Sequence, residues 1–273
     1  MSDYRPQAYW DSLLEQHLDE RGVGYPGLAL ALNRAMYDAE RDQVSRLLDD
    51  HGIAVGPSSR VLDIGAGSGI WIDYWERRGA GAITGVDLTE AAVEGLRRRF
   101  PRHTFERLDV ADAAGRLDGP FDAVSAMSVL LHITDEQRWR AALRAIAGLL
   151  DPAGHAVLIE PLVVHRWWGP PFGPEANSKA RPLTDWDAAL DAAGLELVEL
   201  RPATVLLANV VDTRSRAAFR ALTWYWTALG MGIGPRERPG RVAAAALSAL
   251  DRPLRRRLPG GPTAKVMLLR RRG

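Results

Sequence analysis

The chain has 273 residues, 47% of them hydrophobic, with 35 Lys+Arg against 34 Asp+Glu and no cysteine. That length supports one α/β domain with modest additions. A net charge near zero argues against general attraction to nucleic acid or anionic membranes, and the lack of cysteine excludes disulfides, thiolate metal sites and cysteine nucleophiles. No basic start leads into an apolar stretch, and no apolar run approaches the roughly 20 residues of a membrane span; no membrane association and a cytoplasmic location are therefore expected.

Residues 1–50 read as helical, clearest over 11–21 and 28–50, and are expected to fold as a cap over the rim of the domain that follows. Arg60–Ile64 predicts a strand running into a glycine-rich turn, with a helix over 70–78. A second strand follows at 82–86. Thr89 is placed to cap a helix over 89–100, which Pro101 ends. Further strands are expected at 103–108, 121–126 and 155–160, with a helix over 135–150. A helix over 184–193 stops at Gly194, and strands at 196–201 and 264–269 complete a set of seven. Strands alternating with helices predict a mainly parallel sheet with helices on both faces. Such sheets take ligands beyond the carboxyl ends of their strands, where strand order reverses, so the loops after residues 64, 86, 108 and 126 should share one rim. One domain is expected, with its core in 58–207 and 263–270, the cap in 1–50 and a helical insertion over 208–262. The insertion carries helical patches at 213–229 and 241–252, separated by the Gly/Pro-rich stretch 230–240.

The turn after the first strand reads Asp63-Ile64-Gly65-Ala66-Gly67-Ser68-Gly69-Ile70. Glycines let a nucleoside cofactor approach the backbone where a strand becomes a helix, and the free N–H groups of that helix suit an anionic group. The dinucleotide fingerprint G-x-G-x-x-G would need a small residue at Ile70, and Asp63 suits an ammonium better than a pyrophosphate. Asp87, at the end of the second strand and about 20 residues past the glycines, is placed to accept hydrogen bonds from a ribose diol. Asp109, after the third strand, can accept from an adenine amino group while Val110 packs on the ring. Each acid also has a plainer reading: Asp87 as a helix cap, Asp109 as a turn residue.

These elements together resemble the class I S-adenosylmethionine-dependent methyltransferases over residues 58–160. The resemblance implies a Rossmann-like, mainly parallel seven-stranded sheet. It implies that Asp63, Gly65, Ala66 and Gly67 line the methionine end, that Asp87 and Leu88 hold the ribose, that Asp109 and Val110 hold the adenine, and that Ala126 contributes backbone. Ala8-Tyr9-Trp10-Asp11 resembles the opening of small-molecule members, whose N-terminal helices cover the cofactor.

The implied reaction is displacement at a sulfonium methyl, in which a base is needed only if the acceptor must lose a proton. Two histidines stand near the rim: His132, after the fourth strand, and His165, beyond the fifth. Both are candidate bases, and both have structural readings. Glu160, at the end of the fifth strand, can orient substrate, cap a helix or make a buried hydrogen bond. Tyr9, Trp10, Trp167, Trp168 and Trp224 are candidate walls for a flat acceptor. Trp224 and Trp226 cannot share one helical face. The arginine clusters 255–257 and 270–272 lack interleaved aromatics and read as solvated. A small-molecule acceptor is expected, by O-methylation in secondary metabolism (N- or C-methylation being open), with no nucleic-acid partner, no metal and a homodimer as one option. An RNA or protein methyltransferase and a non-catalytic cofactor- or partner-binding protein are the alternatives.

Overall fold

The computed structural model describes Trp10, residues 24–169 and residues 177–273. Tyr9 and the helix expected over 11–21 lie outside the described residues.

Seven strands form one sheet: β1 (Arg60–Ile64), β2 (Ala82–Asp87), β3 (Thr104–Arg107), β4 (Phe121–Met127), β5 (Leu150–Glu160), β8 (Leu195–Pro202) and β9 (Lys265–Arg271). Two short strands, β6 (Leu162–Val163) and β7 (Arg181–Pro182), pair separately. The order in the large sheet is β3-β2-β1-β4-β5-β9-β8. β1 pairs in parallel with both β2 and β4, while β9 runs antiparallel between β5 and β8. The chain therefore moves outward from β1 to β3 and returns to β4 on the other side of β1. A crevice opens at the carboxyl ends of β1 and β4, as expected where strand order reverses.

The strands are buried on both faces because alternate side chains serve two cores. Leu62, Val124, Ala126, Leu158, Met267 and Leu269 face α4 (Glu136–Leu149) and α5 (Leu183–Ala193). Val61, Ile83, Ala123, Val157, Val266 and Leu268 face α1 (Leu30–Asp50), α2 (Ile70–Arg77) and α3 (Glu90–Arg99). Trp139 and Trp186 cross edge to face at 5.0 Å within the first core, and truncating either to Ala would cost about 3–5 kcal/mol. Helix starts follow their sequence signals. Thr89 accepts from Ala92 N at α3, Asp135 accepts from Arg138 N at α4, and Gly194 closes α5 in the left-handed region.

Two boundaries differ most from expectation. β5 begins at Leu150 rather than His155, because Leu150 pairs with Phe121 before a register shift. In the insertion, α6 (Arg216–Met231) is followed by α7 (Glu237–Arg257), which begins inside the stretch expected to separate them. Pro239 falls in the first turn, where its missing N–H costs no helix bond.

Arg255 is not a solvated arginine. It is buried, forms ion pairs with Asp251 at 2.7 Å and Asp42 at 3.2 Å, and donates to the Ala39 carbonyl at 2.7 Å. The other oxygen of Asp251 accepts from the N–H groups of Val205 and Leu206. This buried cluster fastens α7 to α1 and to the segment after β8. A second buried pair, Lys265–Asp212 at 3.2 Å, fastens the start of the insertion to β9. Arg256 and Arg257 are exposed, while Arg270 and Arg272 pair with Glu196 and Asp191. Trp224 is 75% exposed, whereas Trp226 packs against Tyr25 with centroids 5.0 Å apart, so the two tryptophans diverge as their spacing requires.

Candidate active site

A cavity of about 480 Å³ opens at the carboxyl ends of β1, β2 and β4, within the roughly 300–1,000 Å³ range of small-molecule sites. Ile64, Gly65 and Gly67 form its floor. Asp87, Leu88, Leu108, Asp109 and Val110 form one wall; Met127, Ser128, Val129 and the segment His132–Asp135 form the other, with Arg138 and Trp10 at the edges.

The glycine-rich turn is closed onto β2 by its backbone. Gly65 N and Ala66 N both donate to the Val86 carbonyl, at 2.8 and 3.1 Å. Gly65 has φ 69°, and a Cβ there would run into the Val129 side chain, so both dihedral and space demand glycine. Gly67 N donates to Asp87 at 2.9 Å. The other Asp87 oxygen accepts from the N–H and hydroxyl of Thr89, each at 2.9 Å. Asp87 thus ties the turn to the start of α3 and also stands in the cavity wall.

Asp109 likewise does two things. One oxygen accepts from Ala111 N at 2.9 Å, capping the short turn Val110–Asp112; the other accepts from Arg138 at 2.7 Å. The acid expected to meet an adenine amino group is therefore already held by an arginine at the cavity edge.

Asp63, Ala66 and Ala126 are buried and do not line the cavity. On β1 the rim-facing residue is Ile64; Asp63 points beneath the turn, where Ser125 Oγ donates to it at 2.5 Å and Trp75 donates to Ser125 at 2.9 Å. Burial pushes the Asp63 carboxyl up to about 7, against the pull of the Ser125 bond. Asp63 thus braces the turn from below. β4 runs one residue further than expected, so Met127, Ser128 and Val129 take the place foreseen for Ala126.

His132 lines the cavity. Its Nδ1 lies 2.7 Å from the Asn177 carbonyl. A carbonyl only accepts, so Nδ1 carries the hydrogen and Nε2 the lone pair. Burial lowers the His132 pKa below the usual histidine value, with the Asn177 bond opposing. Trp10 packs edge-on against the ring at 4.8 Å. His165 is exposed and off the cavity, with its backbone N–H donated to Asp212 at 2.6 Å. Trp167 packs edge-on against Phe219, Trp168 donates to the Thr213 carbonyl, and Trp224 faces outward. None of these four lines the cavity, because the insertion takes them up as packing partners or leaves them at the surface.

Glu160 is fully buried behind the far wall, where it accepts from the N–H groups of Val129, Leu130 and Leu131. Burial pushes its carboxyl up to about 8; the three donors and nearby Arg181 pull the other way. Sequence reasoning missed Met127, Ser128, Val129, Ile133, Thr134, Asp135 and Arg138 as cavity residues. Asp135 carried a usable signal as the cap of a helix starting at the rim. Among the described residues, no cluster of three His, Asp or Glu could hold a metal, and no helix is long and apolar enough to cross a membrane.

Residues 32–228 match the methyltransferase domain family. The ubiquinone biosynthesis O-methyltransferase of Neisseria meningitidis serogroup C (strain 053442) is 33% identical over 112 residues, covering 39% of this chain and 45% of that protein. Its namesake from Xanthomonas campestris pv. campestris (strain B100) is 35% identical over 102 residues, covering 36% and 41%. The chain thus matches less than half the length of these curated relatives. Among solved structures, a mitomycin 7-O-methyltransferase superposes with TM-score 0.51 at 14% identity, covering 92% of this chain and 56% of that one. A Burkholderia thailandensis 1,6-didemethyltoxoflavin-N1-methyltransferase, solved with S-adenosylhomocysteine, superposes with TM-score 0.50 at 19% identity, covering 88% and 79%. By strand order, glycine turn and family match over most of its length, the chain belongs to the class I S-adenosylmethionine-dependent methyltransferases.

Proposed function

We propose that the chain transfers a methyl group from S-adenosylmethionine to a hydroxyl group of a small, largely apolar molecule, a step typical of secondary metabolism. The observation that carries this reading is His132, a neutral imidazole in the cavity wall whose Nδ1 hydrogen is committed to Asn177. An amine acceptor can react through its own lone pair, whereas a hydroxyl gains from a base. His165, exposed and off the cavity, is the weaker candidate.

The residues present fit the cofactor. The turn brings backbone rather than side chains to the floor, and Gly65 has no room for a Cβ. Asp87 would accept from the ribose hydroxyls, Asp109 from the adenine amino group, with Leu88 and Val110 on the ring. When bound, the cofactor supplies a methyl group already activated as a sulfonium. His132 Nε2 would take the proton of an acceptor hydroxyl held in the cavity as that oxygen is methylated. Met127, Val129, Ile133 and Trp10 give the cavity an apolar lining, which suits holding oxygen and methyl in line at about 3–3.5 Å.

Calorimetry with S-adenosylmethionine and S-adenosylhomocysteine tests the cofactor, and absence of binding below millimolar concentration would sink the reading. Methyl-labelled cofactor with a panel of phenols, aliphatic alcohols and amines tests the acceptor. Label is expected on phenols or alcohols and to fall at least about a hundredfold in H132A. Because burial lowers the His132 pKa, turnover should be lost only as pH falls below the usual histidine value. Label on amines alone would overturn O-methylation.

A further inference from the structure

We infer that Glu160, although outside the cavity, is a positioning residue for this methyl transfer: it fixes the loop that presents His132. The inference rests on the reading of His132 as the base. The chain leaves β4 at Met127 and reverses at Ser128, whose φ of 59° is unusual for a residue other than glycine. Ser128 N donates to the Ile159 carbonyl at 2.7 Å. The next three N–H groups all go to Glu160: Val129 at 3.1 Å and Leu130 at 2.7 Å to one oxygen, Leu131 at 2.9 Å to the other.

These are the N–H groups that the turn Leu130–His132 cannot satisfy internally, and the two carboxyl oxygens of Glu160 satisfy them. The carbonyl side is held as well. Lys179 N donates to the Leu131 carbonyl at 2.8 Å, and buried Arg181 donates to the Ile133 carbonyl at 2.7 Å. His132 itself donates to Asn177. The loop is therefore gripped from β5 on one side and from residues 177–181 on the other.

The same grip presses Val129 against Gly65, so one buried carboxylate sets both the cavity wall and the direction of the base. An ordinary cap would serve only the short turn. Glu160 also decides which tautomer His132 adopts, because the Nδ1–Asn177 bond forms only with the loop in this position.

The test begins on the native chain. By amide hydrogen exchange, Val129, Leu130 and Leu131 should be protected about a hundredfold or more over unstructured chain; exchange near the unprotected rate overturns the proposal whatever any variant does. In E160Q, nitrogen NMR of labelled histidine should show His132 moving from the Nδ1–H form toward a mixture. S-adenosylhomocysteine affinity should change by less than about threefold, and turnover of any phenol or alcohol found in the panel should fall about a hundredfold, as misplacement of a reacting group predicts. An unchanged Nδ1–H tautomer overturns the proposal. So does a loss of S-adenosylhomocysteine affinity beyond tenfold, which would make Glu160 a support of the cofactor wall at large. If E160Q does not fold, E160D serves, with a smaller shift in the same direction. The base reading fails separately: H132N with full activity would end it, while the exchange and tautomer results still decide what Glu160 does.

Discussion

The two halves of this molecule are held by different means. The cavity half, built on the turns after β1, β2 and β4, is joined by backbone hydrogen bonds and by carboxylates that each accept several N–H groups. The insertion, from the end of β8 to the start of β9, is fastened by two buried charged clusters, Asp251–Arg255–Asp42 and Lys265–Asp212. A carboxylate accepting backbone N–H groups fixes a loop with little dependence on any one partner. A buried ion pair fails when either member is lost, because the survivor stays charged in a low dielectric.

The largest effect should come from Asp251→Ala. It leaves Arg255 buried and two backbone N–H groups unpaired, at an expected cost of about 3–5 kcal/mol in urea unfolding. Equal stability of variant and native chain would erase the contrast between the halves. Next is Gly65→Ala. A φ of 69° and the collision with Val129 should cost about 1–3 kcal/mol of strain, read as weaker S-adenosylhomocysteine binding. Val129→Ala in the same chain should recover part of the loss, since it removes the collision and not the dihedral; no recovery would mean that the dihedral alone matters.

A smaller effect concerns pH. Glu40, on α1, is buried and pushed up to about 8 by desolvation. Between its ordinary value near 4.5 and about 8, the folded chain holds a proton that the unfolded chain releases. Stability therefore falls as pH rises through that window, and the advantage of E40Q over the native chain should widen from pH 5 to pH 9 in urea midpoints. A constant difference would mean that Glu40 keeps an ordinary pKa. The smallest effect should be at Trp224. It is three-quarters exposed, so Trp224→Ser should shift stability by less than about 0.5 kcal/mol; a larger loss, or a change in sedimentation, would show a packing partner for α6.

The division between halves also explains what the sequence revealed. The glycine turn, Asp87, Asp109 and the cap at Thr89 are local signals, with partners within a few residues or on the next strand, and their positions at the rim were legible. Two of the three partners of Arg255, Asp42 and Ala39, lie near the other end of the chain, so a run of three arginines looked solvated. Trp167 and Trp168 looked free for substrate until Phe219 and Thr213 came beside them. Glu160 was noticed, but a strand-end acid gives no local sign that it will collect three N–H groups from a neighbouring loop. Asp63 lies one residue of alternation below the rim, which Ile64 reaches.

β9 enters the sheet between two strands made before it. Until residues 265–271 leave the ribosome, β5 and β8 each present an unpaired strand edge, the kind that pairs with other chains. The pairing that covers those edges must also span the whole insertion, a long loop to close and a slow one. The interval between synthesis of β8 and arrival of β9 is therefore when this chain is most exposed to aggregation, and shortening the insertion should shorten that interval.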